Sequence, residues 1–208
     1  MARFCQLINY KNYTMSINLL EKVQQNLHYP TVQKIDPNTQ LIANNNSEIE
    51  EDKFSQVAIP AVLTGLYKFS TTEEGAKEIL KADYTTNWVN KIFDENNRQV
   101  IEDIAAKLNK PKDVAVEQMN GIADEAIKLV HENLPETATE KDVMQFFSNQ
   151  VNNFLPYLPA SLHMGNALND TSLDDNTNKM QGPISSLMHS IGNAFSTPET
   201  KEDTNHAQ

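Results

Sequence analysis

Apolar side chains recur along this chain every three to four residues, a rhythm that predicts helices. Two runs are the longest. Met119, Ile122, Ala123, Ala126, Ile127 and Val130 fall at i, i+3, i+4, i+7, i+8 and i+11. Val143, Phe146, Phe147, Val151 and Phe154 do nearly the same, with Thr139 as cap, Asp142 at its third position, and Pro135 separating the two. Upstream, a helix is expected over Ser16 to Leu27, capped by Ser16, carrying Ile17, Leu20, Val23 and Leu27, and closed by Tyr29-Pro30, because a residue before proline avoids the α region. Asp36-Pro37 reads as a further cap with proline at the first helical position. The polar stretch Asn44 to Asp52 leads into the most apolar helix. Phe54, Val57, Ala58, Ala61, Val62, Gly65, Leu66 and Phe69 line one side of it, and Ile59, Leu63 and Tyr67 cover much of the other. A helix apolar nearly all round belongs at the centre. Pro60 within it predicts a late start or a kink.

Ser70 with Glu73, and Thr71 with Glu74, form two overlapping capping boxes ahead of a short helix to about Lys81. Trp88 and Ile92 mark the next short helix, with Thr85 or Thr86 as its cap. A helix from about Glu95 to Leu108 places Val100, Ile101, Ile104, Ala105 and Leu108 inward. Past Phe154, prolines and glycines punctuate the chain. They leave a short helix from Ala160 to Leu168, a polar loop from Asn169 to Asn178, and a last helix from Pro183 to about Phe195. No pair of alternating β-branched runs brackets a turn. The expectation is an all-α, compact multi-helix bundle of about seven or eight helices, with Val57–Phe69 central. A single helical domain would cover 16–195. Residues 1–15 read as a disordered arm or as a misread start upstream of Met15, and 196–208 as a disordered tail.

Charge narrows the choice of partners. Across 208 residues, 28 acidic groups face 17 basic ones, for a net charge of −11. That balance disfavours phosphate backbones and anionic membranes, which need clustered Lys and Arg. The longest uncharged apolar segment, Phe54 to Tyr67, falls short of the roughly 20 residues that cross a bilayer. Cys5 is the sole cysteine, so no intrachain disulfide forms. The start does not read as a secretory leader, and a cytoplasmic location is expected.

Motifs for chemistry are sparse. None of the six glycines sits in a phosphate-binding or nucleophile-elbow pattern. His28, His131, His163, His189 and His206 form neither HExxH nor Glu-x-x-His. Asp174, Asn176 and Asn178 begin like a calcium loop, but Lys179 stands where glycine is needed and Ser185 where a bidentate glutamate should be. Catalytic, cofactor-binding and metal residues are therefore all read as none, and the chain leans away from enzymes. Residues 98–120 resemble a helix-turn-helix hairpin around Asn109-Lys110-Pro111. Its second helix offers no arginine, however, and residues 98–130 hold five basic and six acidic groups, so a nucleic-acid role stands only as an alternative. An enzyme with an unrecognised carboxylate site is a second alternative. The best interaction element is the last helix, whose stripe Ile184, Leu187, Met188, Ile191 and Phe195 lies in a segment, Met180 to Phe195, without formal charge. Such a stripe docks on its own body or on a protein partner.

Several phrases carry a resemblance. Val57-Ala58-Ile59-Pro60-Ala61-Val62-Leu63-Thr64-Gly65-Leu66, followed by Glu73-Glu74-Gly75-Ala76, resembles the bacterial YidB-like family of small helical proteins of unassigned function. The likeness runs more loosely through Ile101 to Leu129. Leu155 to Ala160 and Leu173 to Met180 look like a variant with an extended helical tail. The resemblance implies an all-helical bacterial protein and supplies no catalytic residues. The expected function is non-enzymatic, with an unidentified protein or a homo-oligomer as partner and no cofactor.

Overall fold

The computed structural model describes residues 17–36, 50–82, 86–93, 98–107 and 109–168. Seven helices and a final single turn make up this part: α1 (Leu19–Asn26), α2 (Glu50–Ser70), α3 (Glu73–Leu80), α4 (Trp88–Ile92), α5 (Arg98–Lys107), α6 (Lys112–Asn133), α7 (Glu140–Phe154) and α8 (Met164–Ala167). Two 3-10 turns, Leu155–Tyr157 and Ala160–Leu162, lie between α7 and α8. Among the described residues there is no strand, and the fold is an all-α bundle.

The ends of the helices differ from the expected ones for local reasons. Asn18 caps α1, its side-chain oxygen accepting from the Glu21 amide at 3.3 Å; Ser16 lies outside the described residues. Pro30 does not terminate α1. His28 adopts the left-handed region (φ 57°), the His28 amide donates to Gln25 O, and the Tyr29 amide donates to Gln24 O. That pattern is a Schellman turn with a histidine where glycine is usual. Asn109 (φ 49°) repeats the device after α5, with the Lys110 amide donating to Ala105 O. The Asp36-Pro37 cap and the start near Glu95 fall on or beside undescribed residues. α5 is resolved from Arg98.

α2 is continuous through Pro60, so the late start is overturned. The Thr64 hydroxyl bonds back to the Pro60 carbonyl at 2.7 Å. Ser70 and Thr71 do not open α3; both hydroxyls close α2 by donating to Tyr67 O and Lys68 O. The α3 cap is Thr72, which accepts from the Gly75 amide at 3.0 Å. Asn87, not Thr86, caps α4; Thr85 is undescribed. The Thr139–Asp142 capping box is present as expected, with both reciprocal bonds made. The helix expected over Ala160 to Leu168 is split at His163 (φ 45°) into a 3-10 turn and α8.

α2 occupies the centre, packing against α1, α3, α4, α6 and α7. Its Ala58, Ile59, Ala61, Val62, Leu63 and Leu66 are sealed from solvent, while Val57 and Phe69 stay half-buried. Each fully buried leucine- or phenylalanine-sized side chain contributes about 1.5–3 kcal/mol. The inward positions read from α6 and α7 are buried, save Phe146, which is half-buried and stacks edge-on against Phe147.

Three buried glutamines fix α1 and the segment after it: Gln150 holds the start of α1, and Gln24 and Gln56 hold the segment that follows. Gln24 Oε1 accepts from the Val32 amide, and Gln150 Oε1 accepts from the Leu19 amide, both at 2.9 Å. The Gln56 amide makes a two-point contact with the Gln33 backbone, accepting at 2.7 Å and donating at 2.8 Å. An extended segment inside a helical protein needs such partners, because its backbone groups have no helix of their own. No helix among the described residues is long and apolar enough to cross a membrane.

Candidate functional site: the α3–α4 cleft

α3 buries Gly75, Ala76 and Ile79. Helical spacing then turns Glu73, Glu74, Lys77, Glu78 and Lys81 outward. α4 buries Trp88, Val89 and Ile92 and leaves Lys91 exposed. Between the two helices lies an open cleft of about 610 Å³, lined by those four α3 residues and the C-cap Lys81, with Ala82, Thr86, Trp88 and Lys91. Trp88 is 1% exposed and meets Phe69 edge-on at 6.3 Å.

α6 carries both walls. Near its middle, Asn120 Oδ1 accepts from the Val89 amide at 2.9 Å, and its amide group donates to Asn87 Oδ1 at 3.3 Å. Eleven residues on, His131 Nε2 lies 2.7 Å from the Ile79 carbonyl. A carbonyl only accepts, so Nε2 carries the proton. Asp124 sits one turn from Asn120 on the same face. Burial holds its carboxyl above the usual range, and its Oδ1 is buried without a hydrogen-bond partner.

Three carboxylates and three amines ring the cleft, so it is locally neutral on a chain of net charge −11. Lys91 is held by Glu78 at 2.5 Å. The side-chain amines of Lys77 and Lys81, one turn apart, make no ion pair or hydrogen bond among the described residues. Walls of balanced charge can admit a chain segment that the rest of this acidic surface would select against.

The sequence-flagged residues fall elsewhere. Ile184, Leu187, Met188, Ile191 and Phe195 lie outside the described residues, as do the Asp174 loop, His189 and His206. His28 and His163 hold left-handed turns. Among the described residues, no three His, Cys, Asp or Glu side chains are grouped to hold a metal. In the α5–α6 hairpin, Lys112 is bound to Glu102 at 2.8 Å, and the Lys110 amine lies 5.4 Å from the Phe54 ring centroid. Among the described residues, no cationic face comes together there. Sequence reasoning missed the α3–α4 cleft. Its one local signal was the like-charged pairs Glu74/Glu78 and Lys77/Lys81, each at i,i+4, a spacing that costs an isolated helix about 0.2–0.5 kcal/mol per pair.

No protein-family model matches the chain, and no curated protein or solved structure matches it either.

Proposed function

We propose that this chain is a non-enzymatic helical binding protein whose partner is another protein or a second copy of itself, engaged at the α3–α4 cleft. The carrying observation is a locally neutral concavity, rimmed by two lysine amines that have no ion pair among the described residues, on a chain of net charge −11. Charges of both signs in near balance, in place of a single-sign field, let a protein surface approach without like-charge repulsion. The uncharged stripe Ile184, Leu187, Met188, Ile191 and Phe195 supports the same class of role from the sequence. The likeness to the YidB-like family, a bacterial origin and a cytoplasmic location belong to this proposal too, and none of them adds an activity.

The test is site-specific photo-crosslinking in native cells. A photoreactive residue at position 77 or 81 should give discrete protein adducts, and the same residue at Glu117, on the outer face of α6, should not. Equal labelling at all three positions, or none at 77 and 81, would remove the cleft from consideration.

A further inference from the structure

Formal charge is missing from one stretch of this surface. From Val143 to Leu168 the chain holds no Asp, Glu, Lys or Arg, although those residues make up 22% of the whole. Burial does not account for the gap. Gln145, Asn149 and Asn152 fall at i, i+4 and i+7 on α7 and are exposed. Phe146 and Asn153 share that side of the helix and keep part of their surface in solvent. Past the helix end, Tyr157 and Leu158 pack against the core and are half-buried as well. None of these residues lines the α3–α4 cleft.

Two properties of this face select its occupant. On a chain of net charge −11, two copies repel wherever acidic surfaces meet, and an uncharged face is where that repulsion is least. A carboxamide also carries donor and acceptor on one side chain, so Asn and Gln can pair with their own kind, as a two-fold contact demands. Carboxylates and amines cannot. Within one copy the Gln145 Nε2 donates to Asn149 Oδ1 at 2.8 Å, which leaves the Gln145 oxygen and the Asn149 nitrogen with no partner among the described residues. We infer that α7 and the turn after it form an isologous contact between two copies of this chain, centred near Asn149 with Phe146 at its apolar edge. One helix face and a turn fall at the small end of interface areas, below about 1,200 Å² in total, which suits a reversible dimer. The contact is independent of the cleft.

Sedimentation velocity of the full chain, up to high micromolar concentration, tests it. The sedimenting species should pass from one chain to two as concentration rises. Association should strengthen with salt, because screening weakens the repulsion between two acidic copies; an interface built on ion pairs responds in the opposite sense. Asn149→Glu and Asn149→Lys should each weaken association by about tenfold or more, since either charge meets its own copy. An equal mixture of the two variants should recover it. Asn90→Glu adds the same charge at an exposed position of α4 and should leave association unchanged. Position 149 is exposed, so both variants should keep the parent's circular dichroism melt. A chain that stays single at the highest concentration, a dimer that weakens with salt, or a dimer indifferent to both Asn149 variants would each overturn the inference. So would a dimer weakened by one sign of charge and strengthened by the other, which marks a charged partner surface in place of a second α7. Crosslinks at positions 77 and 81 report on the cleft alone, so the two surfaces stand or fall separately.

Discussion

Gly75 and Gly121 show how differently two helical glycines can be used. A Cβ built at Gly75 would sit 2.0 Å from the Phe69 carbonyl oxygen, whereas one at Gly121 meets nothing within 4 Å. Gly75→Ala should therefore cost about 1–3 kcal/mol through overpacking against backbone that cannot yield. Gly121→Ala should gain up to about 1 kcal/mol from helix propensity alone. Urea midpoints at constant slope would read both. Two aspartates make a second contrast. Thr139 holds the Asp142 carboxyl below its usual range through backbone and side-chain hydrogen bonds, so its contribution is full above the unfolded carboxylate range and is lost as pH falls through it. Burial raises Asp124, so the folded state carries a penalty that grows as pH rises through the folded value. Asp124→Asn should stabilise the protein at neutral pH and change little below about pH 4. Thr139→Ala should lose about 1 kcal/mol at neutral pH and flatten the acid limb. Melting temperatures across pH 3–8 would show opposite slopes if both assignments hold.

At the scale of elements, the two-point contact from Gln56 to the Gln33 backbone is the clearest single attachment of the segment that follows α1. Gln56→Leu removes both bonds and leaves half-buried backbone groups of Gln33 without their protein partner, at a cost of about 1–2 kcal/mol. Amide exchange at Gln33 should accelerate while that at Ile59 and Leu63 stays slow; uniform acceleration would mean that the whole bundle had loosened instead. Element type was legible in the sequence, because α6 and α7 repeat their apolar positions over three turns or more and tertiary packing had only to accept them. Some ends were legible too. Thr139-x-x-Asp142 opens directly onto an apolar run, with no competing hydroxyl nearby. Ser70-Thr71-Thr72 offered three hydroxyls in a row. The choice fell to Thr72 because its third helical position is Gly75, the residue that fits against Phe69 O; the glutamates that favoured the other two registers had no such contact to satisfy. His28 and Asn109 ended helices ahead of the prolines, because a left-handed residue can close a helix where no proline has yet intervened.

For the molecule as a whole, the cleft was illegible because its walls come from α3 and α4 but its alignment comes from α6, through Asn120 and His131. No local pattern encodes a meeting of segments more than thirty residues apart. The same long reach governs cohesion. α7 packs against α1, α2 and α3 together, and Phe147, Val151 and Phe154 are fully buried. A chain ended at Ala138 should retain helical circular dichroism but lose its cooperative thermal transition; a sharp melt in that fragment would show that the core closes without α7. The central place of α2 also has a cost during biosynthesis. Its greasy circumference is complete at Ser70, yet Phe154, the end of its α7 cover, is translated roughly eighty residues later, which at about 5–20 residues per second is many seconds. Throughout that interval the nascent polypeptide carries an unsheltered rod, and ribosome-associated chaperones should hold it there until α7 emerges.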